Sequence, residues 1–488
     1  MQTTTRIPKY LKIKNELVTQ ITSGAYKPGD VIPSDNELMR TLNVSKSTIT
    51  QALKLLETEG YITRLQGKGS FVTDRKNSKT VLNIYICPIE QNERNFWEDI
   101  ITQFNEDNPD FSVQPTFLYN ENAPLRDILF QSFASGNAPD LFSLDGPDVA
   151  YWAYMNSLLP FDDYLDKKFL DSFLDPILNQ GHYRGKLYHL GYMESSLCIL
   201  YNKELFSSLG IRIPTSTEDA WSWTEFLKIC EEIRQKTSYP YPLLMDSGKG
   251  LSPKSGEWLS YSGLPFILQN KGRIFNKDYT KATGYLNSIE SVQAMQWLGD
   301  LFHKYHYTHI EKLSDSLPEN FAMSLSLPSA YFQNNNDNSN IGILPLPKGV
   351  QTASPHGSWG LCMSRQTLYP EYCCRFVRYV FSIKNQLQIS KYTGIPVLKE
   401  IYEVMENFNT MSTDIHVLFS QLKKTSFTRP QTPAYPFFSK YFAYAYYNIA
   451  NGADAQTELD QLATMVDDHL YRHGYFQMWD KGEGAVVF

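Results

Sequence analysis

A glycine-rich loop with a lysine at its centre has the composition of a surface that contacts nucleic acid. The loop is Gln66-Gly67-Lys68-Gly69, and it separates two short β-rich runs at residues 61–64 and 70–73. Glycines let a backbone approach a groove closely, and a lysine ammonium can contact a phosphate or a base edge. The loop therefore predicts the tip of a hairpin that touches DNA.

The residues ahead of this hairpin predict two short helices joined by a tight turn. Ser34 with Glu37 three residues later is a capping box, which starts a helix at about residues 34–42. Ser45 caps the next helix, which runs to about residue 58. Two short helices joined in this way form a helix-turn-helix, and its second helix places its N-terminal side chains at base edges in the major groove.

Charge distinguishes this segment from the rest of the chain. Residues 1–76 hold 12 Lys/Arg against 7 Asp/Glu, a net charge of +5, whereas the whole 488-residue chain carries −7. A basic segment joined to an acidic one is typical of a nucleic-acid module fused to a part that does not bind nucleic acid. Charge alone equally allows a solvated basic helical segment, and the ordered motifs favour the DNA-binding interpretation.

Taken together, these motifs resemble the winged helix-turn-helix of GntR-family transcription regulators. The resemblance is ordered and free of gaps over residues 28–38, 44–53 and 60–72. It implies DNA contacts from both helices and the hairpin, and these are assigned to Ser34, Lys46, Thr48, Thr50, Gln51, Arg64, Gly67 and Lys68.

The chain departs from the family pattern at three positions. Asn36 and Thr50 stand where the family usually has arginine, and Lys46 replaces a common arginine. Arginine forks onto guanine better than lysine does. We therefore expect an operator that differs from the family's common one.

Length and composition indicate a soluble protein with more than one domain. At 488 residues and 42% hydrophobic, the chain can bury large cores, and its sequence holds no apolar run near 18 residues. The N-terminus reads as polar rather than as an export signal, and the six cysteines show no disulfide-like spacing, so we expect a cytoplasmic protein. We place a DNA-binding domain at residues 1–76, a linker at 77–80 and a sensor domain at 81–488.

From residue 81 onward, strand-like and helix-like segments alternate. This order predicts an α/β fold with a mostly parallel sheet, whose ligands bind at the carboxyl ends of the strands. Glu90 lies in the loop after the first predicted strand, and Asp145 directly follows a later one. Both carboxylates are therefore candidate ligand residues.

A second series of motifs resembles the family 1 extracellular solute-binding proteins, the sugar receptors of ABC importers. The motifs span roughly residues 80–480 and are specific by order and spacing, at residues 104–110, 135–142, 183–188, 200–206, 223–226, 344–349, 357–360 and 392–397. The resemblance implies a two-lobed α/β fold of the type II periplasmic-binding-protein class, with hinge crossings and a ligand cleft between the lobes. The whole chain is then a winged helix-turn-helix (α+β) followed by this fold.

The same resemblance singles out candidate ligand residues among many aromatic ones. Sugar sites stack aromatic rings on apolar sugar faces and aim carboxylates at hydroxyls. With 32 Tyr and 8 Trp in the chain, most rings belong to core or surface. Beside Glu90 and Asp145, the motif positions favour Tyr192, Glu194, Trp258, Tyr261, Tyr331 and Trp359.

Patterns typical of enzymes and metal sites are weak in this sequence. His303, His306 and His309 do not converge on one face of a helix, and Cys373-Cys374 reads as packing. We find no phosphate-binding loop, nucleophile elbow or zinc-protease motif. We expect no catalytic residue, metal or cofactor, although a carboxylate pair for glycoside cleavage stays open.

The two resemblances together predict a ligand-responsive transcription regulator of carbohydrate uptake or metabolism genes. We expect it to bind operator DNA as a homodimer, to sense a sugar or oligosaccharide and not to associate with a membrane. The alternatives are an importer receptor with an accessory DNA-binding head and an enzyme of carbohydrate metabolism. The short polar tether near residues 74–79 limits how freely the head can reorient, which predicts that the geometry of the sensor domain affects DNA binding.

Overall fold

The computed structural model describes residues 9–58, 60–65, 67–74, 80–88, 91–118, 125–334, 340–357, 359–393, 395–407 and 412–475. They form an N-terminal head and two α/β lobes, which we call lobe 1 and lobe 2. None of the helices found in these ranges is long and apolar enough to span a bilayer.

The head is a three-helix domain with a small hairpin. Ser34 and Glu37 make the capping box that the sequence predicts, and the Ser45 hydroxyl accepts a hydrogen bond from the Thr48 amide at 3.3 Å. Apolar side chains of all three helices and the hairpin form one core. The elements are α1 (Lys9–Thr22), α2 (Asp35–Leu42), α3 (Lys46–Thr58), β1 (Ile62–Leu65) and β2 (Gly69–Val72).

Lobe 1 is built on a six-stranded sheet that is covered by helices. Its order is β4-β3-β5-β15-β6, and β9 also pairs with β15. The strands are β3 (Thr80–Ile86), β4 (Phe111–Phe117), β5 (Leu141–Asp145), β6 (Leu158–Leu159), β9 (His189–Met193) and β15 (Trp359–Ser364), with a hairpin of β7 (His182–Tyr183) and β8 (Lys186–Leu187). The helices are α4 (Gln91–Asp107), α5 (Leu125–Ser135), α6 (Val149–Tyr154), α7 (Lys167–Leu170), α8 (Asp175–Gly181), α14 (Pro370–Val380), α15 (Ile383–Thr393) and α16 (Lys399–Asn407).

Lobe 2 holds a four-stranded sheet in the order β11-β12-β10-β13. Its strands are β10 (Cys198–Asn202), β11 (Leu243–Met245), β12 (Met323–Ser326) and β13 (Ile341–Leu344). Its helices are α9 (Lys203–Leu209), α10 (Trp223–Lys236), α11 (Glu257–Gln269), α12 (Ile289–His303), α13 (Pro328–Asn334), α17 (Thr413–Lys424), α18 (Tyr435–Ala450) and α19 (Ala455–Arg472).

The chain crosses between the lobes more than once. It leaves lobe 1 at residues 194–197 and returns at residues 345–358, and these two crossings meet in a bridge between Ser196 and His356. The second crossing contains β14 (Ser354–Pro355), which pairs in parallel with β16 (Ser426–Phe427). The two-lobed α/β fold with a winged helix-turn-helix head, predicted from the sequence, is thus confirmed.

The expectation of a mostly parallel sheet is only partly right. β3 runs parallel to β4 and β5, but β15 runs antiparallel to β5, β6 and β9. The reason lies in the crossings: β5 ends at the cleft between the lobes, whereas β15 begins there because the chain arrives from lobe 2.

Gly360 gives a test of how tightly this sheet is built. A Cβ atom at Gly360 would lie 2.3 Å from His189 Nε2 and 2.4 Å from the Leu190 carbonyl oxygen. Because backbone cannot move aside cheaply, we expect Gly360→Ala to cost about 1–3 kcal/mol of stability by overpacking. The midpoint of thermal unfolding measures this, and Gln114→Ala on the exposed side of β4 is the control. An equal loss in both variants would contradict the tight packing.

Candidate ligand cavity and nucleic-acid interface

A cavity of about 400 Å³ lies in the cleft between the two lobes. Lobe 1 contributes the carboxyl end of β5 and the start of β15, and lobe 2 contributes the first turns of α11. The lining residues are Leu125, Arg126, Leu144, Asp145, Asp148, Ser195, Ser255, Glu257, Trp258, Tyr261, Leu327, Gly357, Trp359 and Arg429.

Strand pairing explains why two of the predicted residues meet here. Asp145 is the last residue of β5 and Trp359 is the first residue of β15, and the two are opposite each other in the antiparallel register. Directly opposed residues on neighbouring strands point to the same face of a sheet. The strands therefore place a carboxylate and an indole side by side at the cavity.

Helix α11 supplies an aromatic wall from the other lobe. Trp258 and Tyr261 are three residues apart and so share a face of the helix, with their rings stacked at 6.1 Å between centroids. The Tyr261 hydroxyl donates to the Ser195 carbonyl oxygen at 3.1 Å, which fixes that ring. The predicted residues Asp145, Trp258, Tyr261 and Trp359 are thus brought together, and that they contact a ligand stays a prediction.

A buried arginine joins the two lobes across the cavity. Arg429 is 2% exposed, and its guanidinium donates to both oxygens of Asp145 at 3.0 and 2.8 Å and to Glu257 Oε1 at 2.6 Å. Asp145 belongs to lobe 1 and Glu257 begins α11 in lobe 2. The same guanidinium lies 5.1 Å from the centre of the Tyr261 ring, so the ion pairs and the aromatic wall form one network.

Burial and charge act in opposite directions on this network. Burial alone would lower the pKa of Arg429, but Asp145 and Glu257 raise it well above its ordinary value. Burial raises the pKa of Glu257, an effect that the Arg429 charge opposes. Arg429 therefore stays charged, and it is the cation that makes two nearby carboxylates tolerable in the cleft.

A second ion pair completes the charged lining. Arg126 donates from Nε and Nη2 to the two oxygens of Asp148 at 2.7 and 2.5 Å. Both guanidiniums of the lining are thus engaged by carboxylates. Among the described atoms, Glu257 Oε2, Trp258 Nε1 and Arg429 Nε are buried without a hydrogen-bond partner. All three atoms belong to residues that line the cavity, but as buried atoms they lie beneath its surface.

Glu194 lies behind the cavity rather than on its surface, and its prediction as a ligand residue is corrected here. It is fully buried and accepts hydrogen bonds from the Gly357 amide at 2.9 Å and the Ser195 amide at 3.0 Å. Burial raises the pKa of Glu194 well above its usual value, against these two bonds. Burial also lowers the pKa of the neighbouring His356 to about 3. Glu194 therefore ties the two interlobe crossings together.

Tyr192 and Tyr331 are also placed away from the cavity, so both predictions are wrong about position. Tyr192 is buried in lobe 1, where its hydroxyl donates to Glu93 at 3.0 Å and its ring meets Trp97 edge-on. Tyr331 is buried in lobe 2 and donates to Asp414 at 3.1 Å. In both cases a motif position identified the right neighbourhood but not the direction of the side chain. Glu90 lies outside the described residues.

Sequence reasoning missed the two residues at the centre of the site. Arg429 lies in a stretch between α17 and α18 with prolines at 430 and 433, and Glu257 opens a helix as many surface glutamates do. No spacing or motif sets either apart. Only the fold brings Arg429 and Glu257 into contact with each other.

The head presents most of its predicted DNA-contacting residues to solvent. Lys46, Thr50, Gln51, Gly67 and Lys68 are exposed. They lie on the first turns of α3 and at the hairpin tip, the two parts of a winged helix that reach DNA.

The other three head residues also have internal partners. The Ser34 hydroxyl belongs to the capping box of α2, and the Thr48 hydroxyl lies 2.8 Å from that of Ser45. Arg64 pairs with Asp35 at 2.9 Å and so links the hairpin to α2. Their DNA contacts stay predictions.

Comparison with known families agrees with both parts of this structure. The model of the bacterial extracellular solute-binding proteins matches residues 99–414, and the model of the gntR family of bacterial regulatory proteins matches residues 9–72. The chain belongs to the bacterial extracellular solute-binding protein family and carries a GntR-type DNA-binding domain at its N-terminal end.

Curated relatives resemble the head. The arabinose metabolism transcriptional repressor of Geobacillus stearothermophilus is 40% identical over 75 residues, which cover 15% of this chain and 21% of that protein. The histidine utilization repressor of Pseudomonas aeruginosa is 37% identical over 78 residues, 16% of this chain and 31% of the relative. The chain thus spans less than a third of the length of these relatives.

Solved structures resemble the two lobes. An ABC substrate-binding protein of Listeria monocytogenes in complex with cycloalternan superposes with a TM-score of 0.68 at 18% identity, covering 81% of this chain and 100% of that one. A solute-binding protein of Thermotoga lettingae bound with alpha-D-tagatose gives a TM-score of 0.68 at 20% identity, covering 80% and 100%. These likenesses establish the fold.

Removing the bridging cation tests the role of Arg429. Arg429→Met leaves Asp145 and Glu257 near each other without compensation, and we expect a loss of about 3–5 kcal/mol. Chemical unfolding of the full chain measures the loss. The triple variant Arg429→Met, Asp145→Asn, Glu257→Gln removes all three charges and should recover most of it. A triple variant less stable than Arg429→Met would show that packing, not charge, dominates.

Proposed function

We propose that this chain is a cytoplasmic, homodimeric transcription regulator that senses a sugar or oligosaccharide in the interlobe cavity and controls genes of carbohydrate uptake or metabolism. The observation that carries the proposal is the joining of a GntR-type DNA-binding head to solute-binding lobes whose cleft is lined by aromatic and charged side chains. A receptor cleft fused to a DNA-binding head has an obvious use as a sensor.

The chemistry of the cavity favours a polyhydroxylated ligand. The side chains of Asp145 and Glu257 are 17% and 26% exposed and offer acceptors at the cavity, and that of Arg126 is 33% exposed and offers donors. A hydroxyl group can pair with an acceptor or with a donor, and the indoles of Trp258 and Trp359 can cover the apolar faces of sugar rings. A volume of about 400 Å³ accommodates a small saccharide. The solved relatives that carry cycloalternan, tagatose or maltose support this class of ligand.

The arrangement of the lining supports coupling between ligand and lobe geometry. Lobe 1 holds Asp145 and Trp359, lobe 2 holds Trp258 and Glu257, and Arg429 touches both. A ligand that contacts both walls has a higher affinity for the protein at one separation of the lobes than at another. Such differential affinity is what shifts a two-state hinge equilibrium.

We assign no catalysis to the cavity. A glycoside-cleaving site needs one carboxylic acid and one free carboxylate placed about the scissile bond. Asp145 and Glu257 are both held by Arg429, and Asp148 is held by Arg126. Each of these carboxylates is paired with a guanidinium, an arrangement that suits ligand binding better than proton transfer or nucleophilic attack.

The aromatic wall can be tested by sugar affinity. Thermal-shift screening with maltose, tagatose and a cyclic α-glucan first identifies a sugar that binds. We expect Trp359→Ala to weaken that sugar by about tenfold, ~1.4 kcal/mol, because a stacking surface is lost. The control is Trp223→Ala, which removes an indole that stacks on Trp297 away from the cavity. A Trp359→Ala protein that is less stable but binds sugar normally would assign this indole to the core.

The DNA-binding surface can be tested with an operator selected from random duplexes by the wild-type protein. We expect Lys46→Ala to weaken specific binding by about 1–3 kcal/mol if its side chain reads a base. Lys68→Ala should reduce the salt dependence by about one phosphate contact. Lys168→Ala, at an exposed lysine of lobe 1, is the control. Wild-type operator binding by both head variants would refute this placement of the interface.

A further inference from the structure

The DNA-binding head is seated on lobe 1 through its first helix. The Tyr10 hydroxyl of α1 donates to the Ser135 carbonyl oxygen at 3.0 Å, where α5 ends. A Cβ atom on the next residue, Gly136, would lie 1.6 Å from the Tyr10 hydroxyl oxygen. Gly136 also has a positive φ of 75°, so its lack of a side chain is needed twice. The contact is close enough that a methyl group would block it.

A buried lysine lies beside this contact. Lys14, one turn along α1 from Tyr10, is only 4% exposed. Its charge acts on Asp140 of lobe 1, lowering the pKa of that carboxyl against the larger raising effect of burial. Asp140 is itself fixed by the Asn83 amide at 2.9 Å and the Thr367 hydroxyl at 2.6 Å. A lysine buried to this extent is found with a compensating partner, and Asp140 supplies the opposite charge across the boundary.

A third contact joins the core of the head to lobe 1. The hydroxyls of Tyr61 and Tyr369 are 2.9 Å apart. Tyr61 belongs to the core of the head, and Tyr369 directly precedes α14 of lobe 1. We call this set the docking surface: Tyr10, Lys14 and Tyr61 of the head with Ser135, Gly136, Asp140 and Tyr369 of lobe 1.

The docking surface and the cavity lie at opposite ends of the same pair of strands, β5 and β15. Asp140 directly precedes β5, and Asp145 ends β5 in the cavity. β15 begins with Trp359 in the cavity and runs back to Ser364, three residues before Thr367. A five-residue strand spans about 17 Å. Paired strands do not bend easily along their length, so the strands hold the two ends at a fixed separation.

We propose that the head and lobe 1 move as one rigid body, so that ligand-driven lobe closure displaces lobe 2 relative to the DNA. The docking surface, rather than the tether near residues 74–79, would then carry coupling between sugar and operator. This replaces the expectation from the sequence that a short tether is what limits reorientation of the head. The coupling part rests on the proposed function, whereas the rigid attachment does not.

Two charge reversals on α1 distinguish the effect of the docking surface from a general change in the charge of the head. Lys14→Glu replaces the positive charge that acts on Asp140 with a negative one and should undock the head. Lys12→Glu makes the same change of charge at an exposed position two residues away, so its effect on DNA electrostatics is matched. A third variant carries ten Gly/Ser residues inserted after residue 77. All three are made in the full chain.

The first measurement needs neither sugar nor DNA. Spin labels on Thr63→Cys of the head and Gln114→Cys of lobe 1 report their separation, since all six native cysteines are buried. We expect a narrow distance distribution in the otherwise wild-type, Lys12→Glu and tether-insert proteins, and a broad one in Lys14→Glu. Equally broad distributions in all of them would overturn rigid attachment.

The second measurement is operator affinity with and without the sugar found by thermal-shift screening. Couplings of this kind are typically about 5–150-fold. We expect the wild-type factor to persist in Lys12→Glu and in the tether insert, and to fall below about twofold in Lys14→Glu. Full coupling in Lys14→Glu, or its loss in the insert alone, would overturn transmission through the docking surface. A wild-type protein without coupling would refute the proposed function, and the label distances would still decide whether the head and lobe 1 are one body.

Discussion

The guanidinium of Arg429 is the constraint on which the cleft depends. Its side chain is buried, and it pairs with one carboxylate from each lobe. Without a cation at this point, Asp145 and Glu257 would face each other across the cavity in a poorly solvated space. The guanidinium links the end of β5 in lobe 1 to the start of α11 in lobe 2 and lies over the Tyr261 ring, so it connects both walls of the cavity. The site is therefore interlobe by construction, since neither lobe alone holds it.

The sheet of lobe 1 connects the cavity to the surface that contacts the head. β5 and β15 run in opposite directions. At each end of the pair, the last residues of one strand therefore lie beside the first residues of the other. One end carries Asp145 and Trp359 at the cavity, and the other carries Asp140 and the turn that holds Tyr369. Because β15 packs without space at Gly360, this part of lobe 1 is unsuited to internal deformation. The lobe closure that we propose would therefore fall to the crossings near Glu194 and His356.

The sequence was a good guide to architecture and a poorer one to side-chain direction. Helix starts such as Ser34 depend on local hydrogen bonds, and ordered motifs identified both families, so these could be predicted. Asp145 and Trp359 could be found because strand ends and family motifs mark them. Tyr192 could not be excluded, because whether its ring faces the cleft or α4 depends on packing with Trp97. Arg429 could not be found, because its two partners lie about 280 and 170 residues away along the chain.

The position of Gly136 and Asp140 at the far end of lobe 1 has a consequence for how such a protein can change. The residues that seat the head share no position with those that line the cavity. Substitutions around Trp258, Tyr261 or Trp359 can therefore change the lining of the cavity while the head remains seated on the same surface. Under the proposed function, a lineage could acquire a new ligand without acquiring a new operator. For the same reason, the chain offers a scaffold in which a redesigned cleft becomes a genetic reporter for a chosen compound.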